Sequence, residues 1–427
     1  MTARPAPGIA ARPKVALDPR IGDGPAASVD PRTILRWSLA ALVVLGLGFA
    51  SDALLAQPRG ASLSLSLILG ALFGFVLQRS RFCFLCHWRD FLDARDPRGI
   101  LAILAALAVG VAGYTVVYGA WMPDPSGTRL PPGAHIGPVG PVLIAAGLSF
   151  GAGMAISGSC ISAHLYRLGE GSPTAPFALV GAGAGFALGF VTWNPLYLAS
   201  LSEAPILWLP RLVGYAGALL AALAVLGALA LWLLTRFPTP GTSASKIAAS
   251  QIPASKASPL AAIFVARWPA WTGGVAVGLL GTVAYLRLGP LGVTSELGAR
   301  SRAAAAGLGL IPERLEGLDT FRGCVTLVRD TVLTPNGLFV AGLVLASFAA
   351  ALAAGQFRPA WPTGGQIARG AVGGLLLGWG AMTGLGCSVG TLLSGISAGA
   401  VSGWVFAIAM FAGATAILTL PGIRRPS

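Results

Sequence analysis

Apolar runs of about twenty residues alternate with short polar breaks along almost the whole chain. They fall at about 34–57, 61–78, 99–120, 139–158, 174–194, 211–236, 268–289, 336–354, 367–386 and 400–421. A helix needs about 20 residues to cross the hydrocarbon core of a bilayer, so each run is long enough to span. The pattern predicts an all-α polytopic membrane protein with about 9–10 transmembrane helices. Composition agrees: 55% of residues are hydrophobic and only 10% charged, against roughly 25% charged in soluble proteins. The 59 glycines suit helices that pack closely in lipid through small residues.

Charge then orients the chain. The net charge of +14 lies in tails and loops, where it sets topology and meets anionic lipid headgroups; it does not call for nucleic acid. Residues 1–33 read as a disordered, basic cytoplasmic tail. A first membrane half at 34–236 and a second at 267–427 flank a low-complexity cytoplasmic linker at 237–266. Threading the spans from a cytoplasmic N-terminus also puts the C-terminus, with Arg424 and Arg425, inside. The segment 290–335 must then lie outside despite Arg300, Arg302, Arg314, Arg322 and Arg329, which strains that topology. Aromatic residues such as Trp193, Trp208 and Trp268 are expected as interfacial anchors.

The chemistry is concentrated where apolar runs break. GAGMAISGSCISAHLYRLGEG, Gly151 to Gly171, stops being a membrane-type helix at Gly158-Ser159 and presents Cys160. A second copy, GAMTGLGCSVGTLLSG, presents Cys387 between Gly386 and Ser388. Irregular backbone at membrane depth is tolerated only where it lines a cavity or is buried in protein. The two matching breaks suggest two inverted, pseudo-symmetric halves with short re-entrant helices bearing cysteines, the arrangement that builds a midplane site in many transporters. A cysteine can also be a small packing residue. As a ligand group its soft thiol suits a sulfur-containing anion better than a hard oxyanion, for which arginine is the expected partner.

Other groups admit more than one reading. Cys83-Phe84-Leu85-Cys86-His87 has the form of a haem-attachment motif, but its predicted cytoplasmic position opposes that, and a metal would lack a fourth ligand. Cys83 reads as a pore-entrance thiol, with Cys86 and His87 packing or assisting. Cys324, in Phe321-Arg322-Gly323-Cys324, is its expected counterpart. Arg167 and Glu170 form a local pair or, alternatively, Arg167 draws an anion inward. Arg89-Asp90 and Arg329-Asp330 are expected to hold re-entrant ends by ion pairing. Neither a nucleotide-binding loop nor catalytic-triad spacing is visible, so the chain reads as a non-enzyme without a cofactor.

Three motifs carry a resemblance: Arg79-Ser80-Arg81-Phe82-Cys83-Phe84, Gly158-Ser159-Cys160 with Leu165 to Gly171, and Gly386-Cys387-Ser388-Val389-Gly390 with Leu393-Ser394-Gly395. The chain resembles the YeeE/YedE family of bacterial inner-membrane proteins, departing from it at Ser159-Cys160-Ile161 and at Cys86-His87. The resemblance implies uptake of thiosulfate or a related sulfur-containing anion, passed between Cys83, Cys160 and Cys387 by weak S–H···S contacts. Cys324, Arg167, Gly158, Gly386 and Ser388 would be accessory, and a cytoplasmic sulfur carrier or rhodanese would consume the ion. A membrane persulfide carrier and a selenium-related transporter are the alternatives.

Overall fold

A computed structural model describes residues 31–237, 259–312, 314–319, 321 and 333–420. The expected tail, most of the linker, Cys324, Arg329-Asp330 and the C-terminal arginines lie outside the described residues. The first half contains α1 (Pro31–Leu55), α2 (Gly60–Ser80), α3 (Phe84–Ala94), α4 (Arg98–Trp121), α5 (Pro141–Ser157), α6 (Ile161–Gly169), α7 (Ala175–Leu196) and α8 (Leu209–Arg236). The second contains α9 (Pro259–Phe264), α10 (Ala270–Arg287), α11 (Ser295–Gly307), α12 (Pro335–Ala353), α13 (Gly364–Thr383), a π-helical turn (Ser388–Ser394) and α14 (Val401–Leu418). Among the described residues, eight helical stretches are long and apolar enough to span. A ninth is α13 joined to Ser388–Ser397 across a bend of 44°.

Small residues bring backbones together. A methyl group at Gly70 or Gly74 would collide with the carbonyls of Phe339 and Leu343, so α2 lies parallel to α12 at the closest approach two helices allow. Gly274 and Gly278 seat α10 on Ala102 and Ala106 of α4 in the same way. Further on, Gly374 and Gly378 seat α13 on α7, and Gly151 seats α5 on α14. Each close pair therefore takes one helix from each half. At the centre α5 meets α13 directly, with Gly153 against Gly373 and Leu377, and Gly380 against Ala146 and Phe150.

Two polar layers close the ends. At one end Gln78 donates to Glu170 (3.1 Å) and Gln356 (2.9 Å), and buried Arg79 donates to the carbonyls of Phe264 and Val265. At the other, Trp208 donates to the Ala398 carbonyl (2.8 Å) and Trp193 to that of Glu316 (2.9 Å). Both indoles are fully buried, which corrects the expectation of lipid-interface anchors: their N–H groups tie the fold's own loops to helix ends. The segment after α10 also departs from expectation. It dips into the protein, burying Leu291, Val293 and Thr294, before α11 begins at Ser295. Helix α11 (Ser295–Gly307) then follows α10.

Candidate functional site

All three predicted thiols occupy the same local device. Arg81 (φ 51°), Gly158 (φ 92°) and Leu385 (φ 58°) are left-handed, and each stands two residues before a cysteine. The chain then turns through an extended Cys83, Cys160 or Cys387, and each cysteine caps the helical segment behind it. A left-handed residue ends the incoming helix, and the extended cysteine starts the outgoing one. Glycine suits the Gly158 turn because a Cβ is unfavourable there. At Gly386 the reason is space: a methyl would stand 2.6 Å from the Thr391 hydroxyl and 3.3 Å from the His135 ring.

The three thiols are buried. Cys160 is the second of them along the chain. Its sulfur is 3.2 Å from the Ser162 hydroxyl. The break beside it is braced by the Ser157 hydroxyl, which donates to the carbonyls of Gly153 (2.8 Å) or Ser159 (3.1 Å) and meets His164 Nε2 at 3.1 Å. His164 was not singled out by spacing; its signal is an imidazole on a short helix four residues past the thiol.

On the Gln78 side of Cys160, the Cys83 and Cys86 sulfurs are 2.8 Å apart, and the Cys86 N–H donates to the Cys83 sulfur at 3.3 Å. Arg167 donates to the Cys86 sulfur (3.1 Å) and to the Gly158 carbonyl (3.2 Å). The local Arg167–Glu170 pair is not formed, because Glu170 turns to Arg81 at 3.7 Å and to Gln78. Ion pairs among the described residues are Arg81–Glu170, Arg98–Asp96, Arg300–Glu296 and Arg314–Glu316. Arg89–Asp90 is not one of them, since adjacent helical residues point in different directions. His87 packs edge-on against Phe82 and beside Gly99, so Cys86 is the member of that motif that touches the thiols. Among the described residues, no group of three or more His, Cys, Asp or Glu could hold a metal.

On the Trp208 side lies a narrow pocket lined by His135, Gly137, Thr383, Gly384, Thr391 and Ser402. It has room for about one water molecule. Ser388 is fully buried beside Cys387. Burial lowers the His135 imidazole to about 4, so it is neutral near pH 7.

The sequence has clear relatives. Residues 79–416 match the family described as sulphur transport. The thiosulfate transporter TsuA of Spirochaeta thermophila is 28% identical over 359 residues, covering 80% of this chain and 94% of the relative. Its namesake from Escherichia coli is 25% identical over 367 residues, covering 81% and 91%. A probable transporter, YedE of Salmonella typhimurium, is 29% identical over 140 residues, 32% of this chain and 31% of its own length.

Proposed function

The chain belongs to the sulphur-transport family, and from that premise we propose that it carries thiosulfate across the bacterial inner membrane through Cys387, Cys160 and Cys83 in that order. The observation that carries this reading is the threefold recurrence of one device: a left-handed residue and, two positions later, an extended, buried cysteine. Two relatives named as thiosulfate transporters, each covered over more than nine-tenths of its length, support the substrate. The thiosulfate ion has one soft sulfur and three hard oxygens. A series of thiols meets the soft end with weak, polarizable contacts of similar strength, so the ion is held at each step without being trapped.

The polar ends fit the two sides. The Gln78 end, with Arg79, Arg81 and Arg267, is assigned to the cytoplasm by the positive-inside rule, and the His135 pocket to the outside. Arg167, a half-buried cation on the inner side of Cys160, offsets the anion's charge as it passes. The two halves are read as inverted repeats, because each close helix pair draws one parallel member from each half while α5 and α13 run antiparallel.

A sulfur-auxotrophic, uptake-deficient bacterium expressing the chain tests the reading, with thiosulfate as sole sulfur source. Growth is expected with the intact chain; no growth, with confirmed membrane expression, contradicts it. One observation favours covalent persulfide carriage instead: a guanidinium donating to the Cys86 sulfur stabilises a thiolate, the nucleophilic form. A persulfide trapped on Cys86 or Cys83 in the purified protein would select that reading.

A further inference from the structure

Cys83 and Cys86 stand at the two ends of one helical turn. Cys83 is the N-terminal cap of α3, and its sulfur accepts the Cys86 N–H at 3.3 Å, as a serine or threonine hydroxyl does in the same place. This brings the Cys86 sulfur to 2.8 Å from the Cys83 sulfur, and both thiols are free. A disulfide has an S–S bond of about 2.05 Å, so the two sulfurs need to close by less than about 1 Å while α3 keeps its backbone. Cys160 and Cys387 have no such neighbour along the chain: three residues beyond them stand Ala163 and Gly390.

The two sulfurs differ in access. Cys83 is buried, whereas Cys86 is half-buried. On a helix the residues three and four positions on share a face. Beyond Cys86 these are Arg89 and Asp90, both exposed, so the face that carries Cys86 leads to water. Arg167 reaches Cys86 from α6 and donates to its sulfur at 3.1 Å. A guanidinium in that place favours the thiolate, the form that attacks a disulfide. Cys86 therefore has the features of an attacking thiol, and Cys83, buried beside it, those of a resolving one. The transport reading uses Cys83 and leaves Cys86 without a part.

We propose that Cys83 and Cys86 form a reversible redox site whose disulfide shuts the inner end of the path. The gating part rests on the transport reading; the disulfide itself does not. The oxidant class is a low-molecular-weight disulfide. The Cys86 thiolate attacks one of its sulfurs, the oxidant's S–S bond breaks, and one thiol leaves with the proton that Cys86 gave up. Cys83 then attacks the Cys86 sulfur, and the second thiol leaves with the proton from Cys83. The protein loses two electrons and two protons, and the oxidant gains both on becoming two thiols. In the product the Cys83 sulfur carries no hydrogen and is tied to Cys86, so it has no S–H to offer an arriving anion. Excess thiol reverses each step.

The test uses purified full-length protein, equilibrated in detergent with oxidised and reduced glutathione at a series of ratios and then reconstituted for uptake. Trypsin cuts after Arg81 and Arg89, so one peptide, residues 82–89, carries both sulfurs and no other cysteine. Iodoacetamide should label both cysteines of that peptide in the reduced protein and neither in the oxidised protein. Thiosulfate uptake should fall at least about tenfold on oxidation and return to within about twofold in dithiothreitol. Cys86→Ala should keep its uptake within about twofold under the same oxidant, because Cys83, Cys160 and Cys387 are buried. If alanine does not fold, Cys86→Ser gives the same readout, and the peptide measurement needs no variant. A peptide that keeps both labels at every ratio, or that gains only glutathione or a sulfur atom, overturns the disulfide. A disulfide that leaves uptake unchanged, or a Cys86→Ala variant as sensitive to the oxidant as the intact chain, overturns the gate. If the reduced, intact chain does not import thiosulfate, the transport reading fails and the gate with it, while the peptide still decides the disulfide.

Discussion

Gly158 holds the middle thiol in place, and substituting it isolates one physical term. The residue caps α5 with φ 92° and ψ 3°, and its N–H donates to the Met154 carbonyl at 2.8 Å. A methyl group added there meets no atom within 4 Å. Gly158→Ala therefore creates no clash, and its whole effect is the left-handed conformation imposed on a residue with a Cβ, about 1–2 kcal/mol. Asparagine visits that conformation more readily, so Gly158→Asn should lose less than alanine does. Strain of that size changes a conformational ratio by about 5- to 30-fold. Any relaxation of φ rotates Ser159 and Cys160 off the path, so uptake should fall by up to that factor in the alanine variant and less in the asparagine variant. Unfolding in mixed micelles measures the first quantity and proteoliposome uptake the second. Alanine unfolding like the intact chain, or asparagine faring worse than alanine, would refute the claim that backbone conformation is what glycine supplies.

Other substitutions separate other terms. Gly74→Leu forces α2 off the Leu343 carbonyl and should abolish folded protein in the membrane, scored by monodisperse elution in detergent. Arg167→Leu should cut thiosulfate uptake at least about tenfold, with Arg167→Lys only partly restoring it because a point charge replaces a two-pronged donor; equal uptake in all three would remove Arg167 from the path. Cys83→Ala should abolish uptake, whereas Cys86→Ala should leave it within a few-fold, since Cys86 touches Cys83 from the side. His135 is held at about 4 by burial against the usual 6.5, so the unfolded chain takes up its proton first as pH falls. Its contribution is full above about pH 6.5 and is lost between about 6.5 and 4, a loss of up to about 3 kcal/mol. Unfolding midpoints of His135→Gln should accordingly depend less on pH across that window.

Long apolar runs made the spans legible, and the glycine-flanked cysteines marked Cys160 and Cys387 as breaks before any geometry was known. What the sequence did not carry was direction. Arg167 and Glu170, three residues apart on one helical segment, look like a local pair. Tertiary packing sends one to Cys86 and the other to Arg81. Trp193 and Trp208 have the composition of interfacial anchors, yet both are enclosed by loops whose return path no local pattern encodes. Arg81 and Leu385 carry no signal of left-handed backbone at all, since neither residue type favours it.

The central claim is passage of thiosulfate by way of the middle thiol, and the most direct test is uptake of radiolabelled thiosulfate into proteoliposomes containing the intact chain or Cys160→Ala at equal density. The site is buried and the change is small, so both proteins should elute alike and unfold within a few degrees of each other. The intact chain should accumulate label above protein-free vesicles, and the variant should not. Equal accumulation by both would contradict a path through Cys160, whatever the ion does at either end.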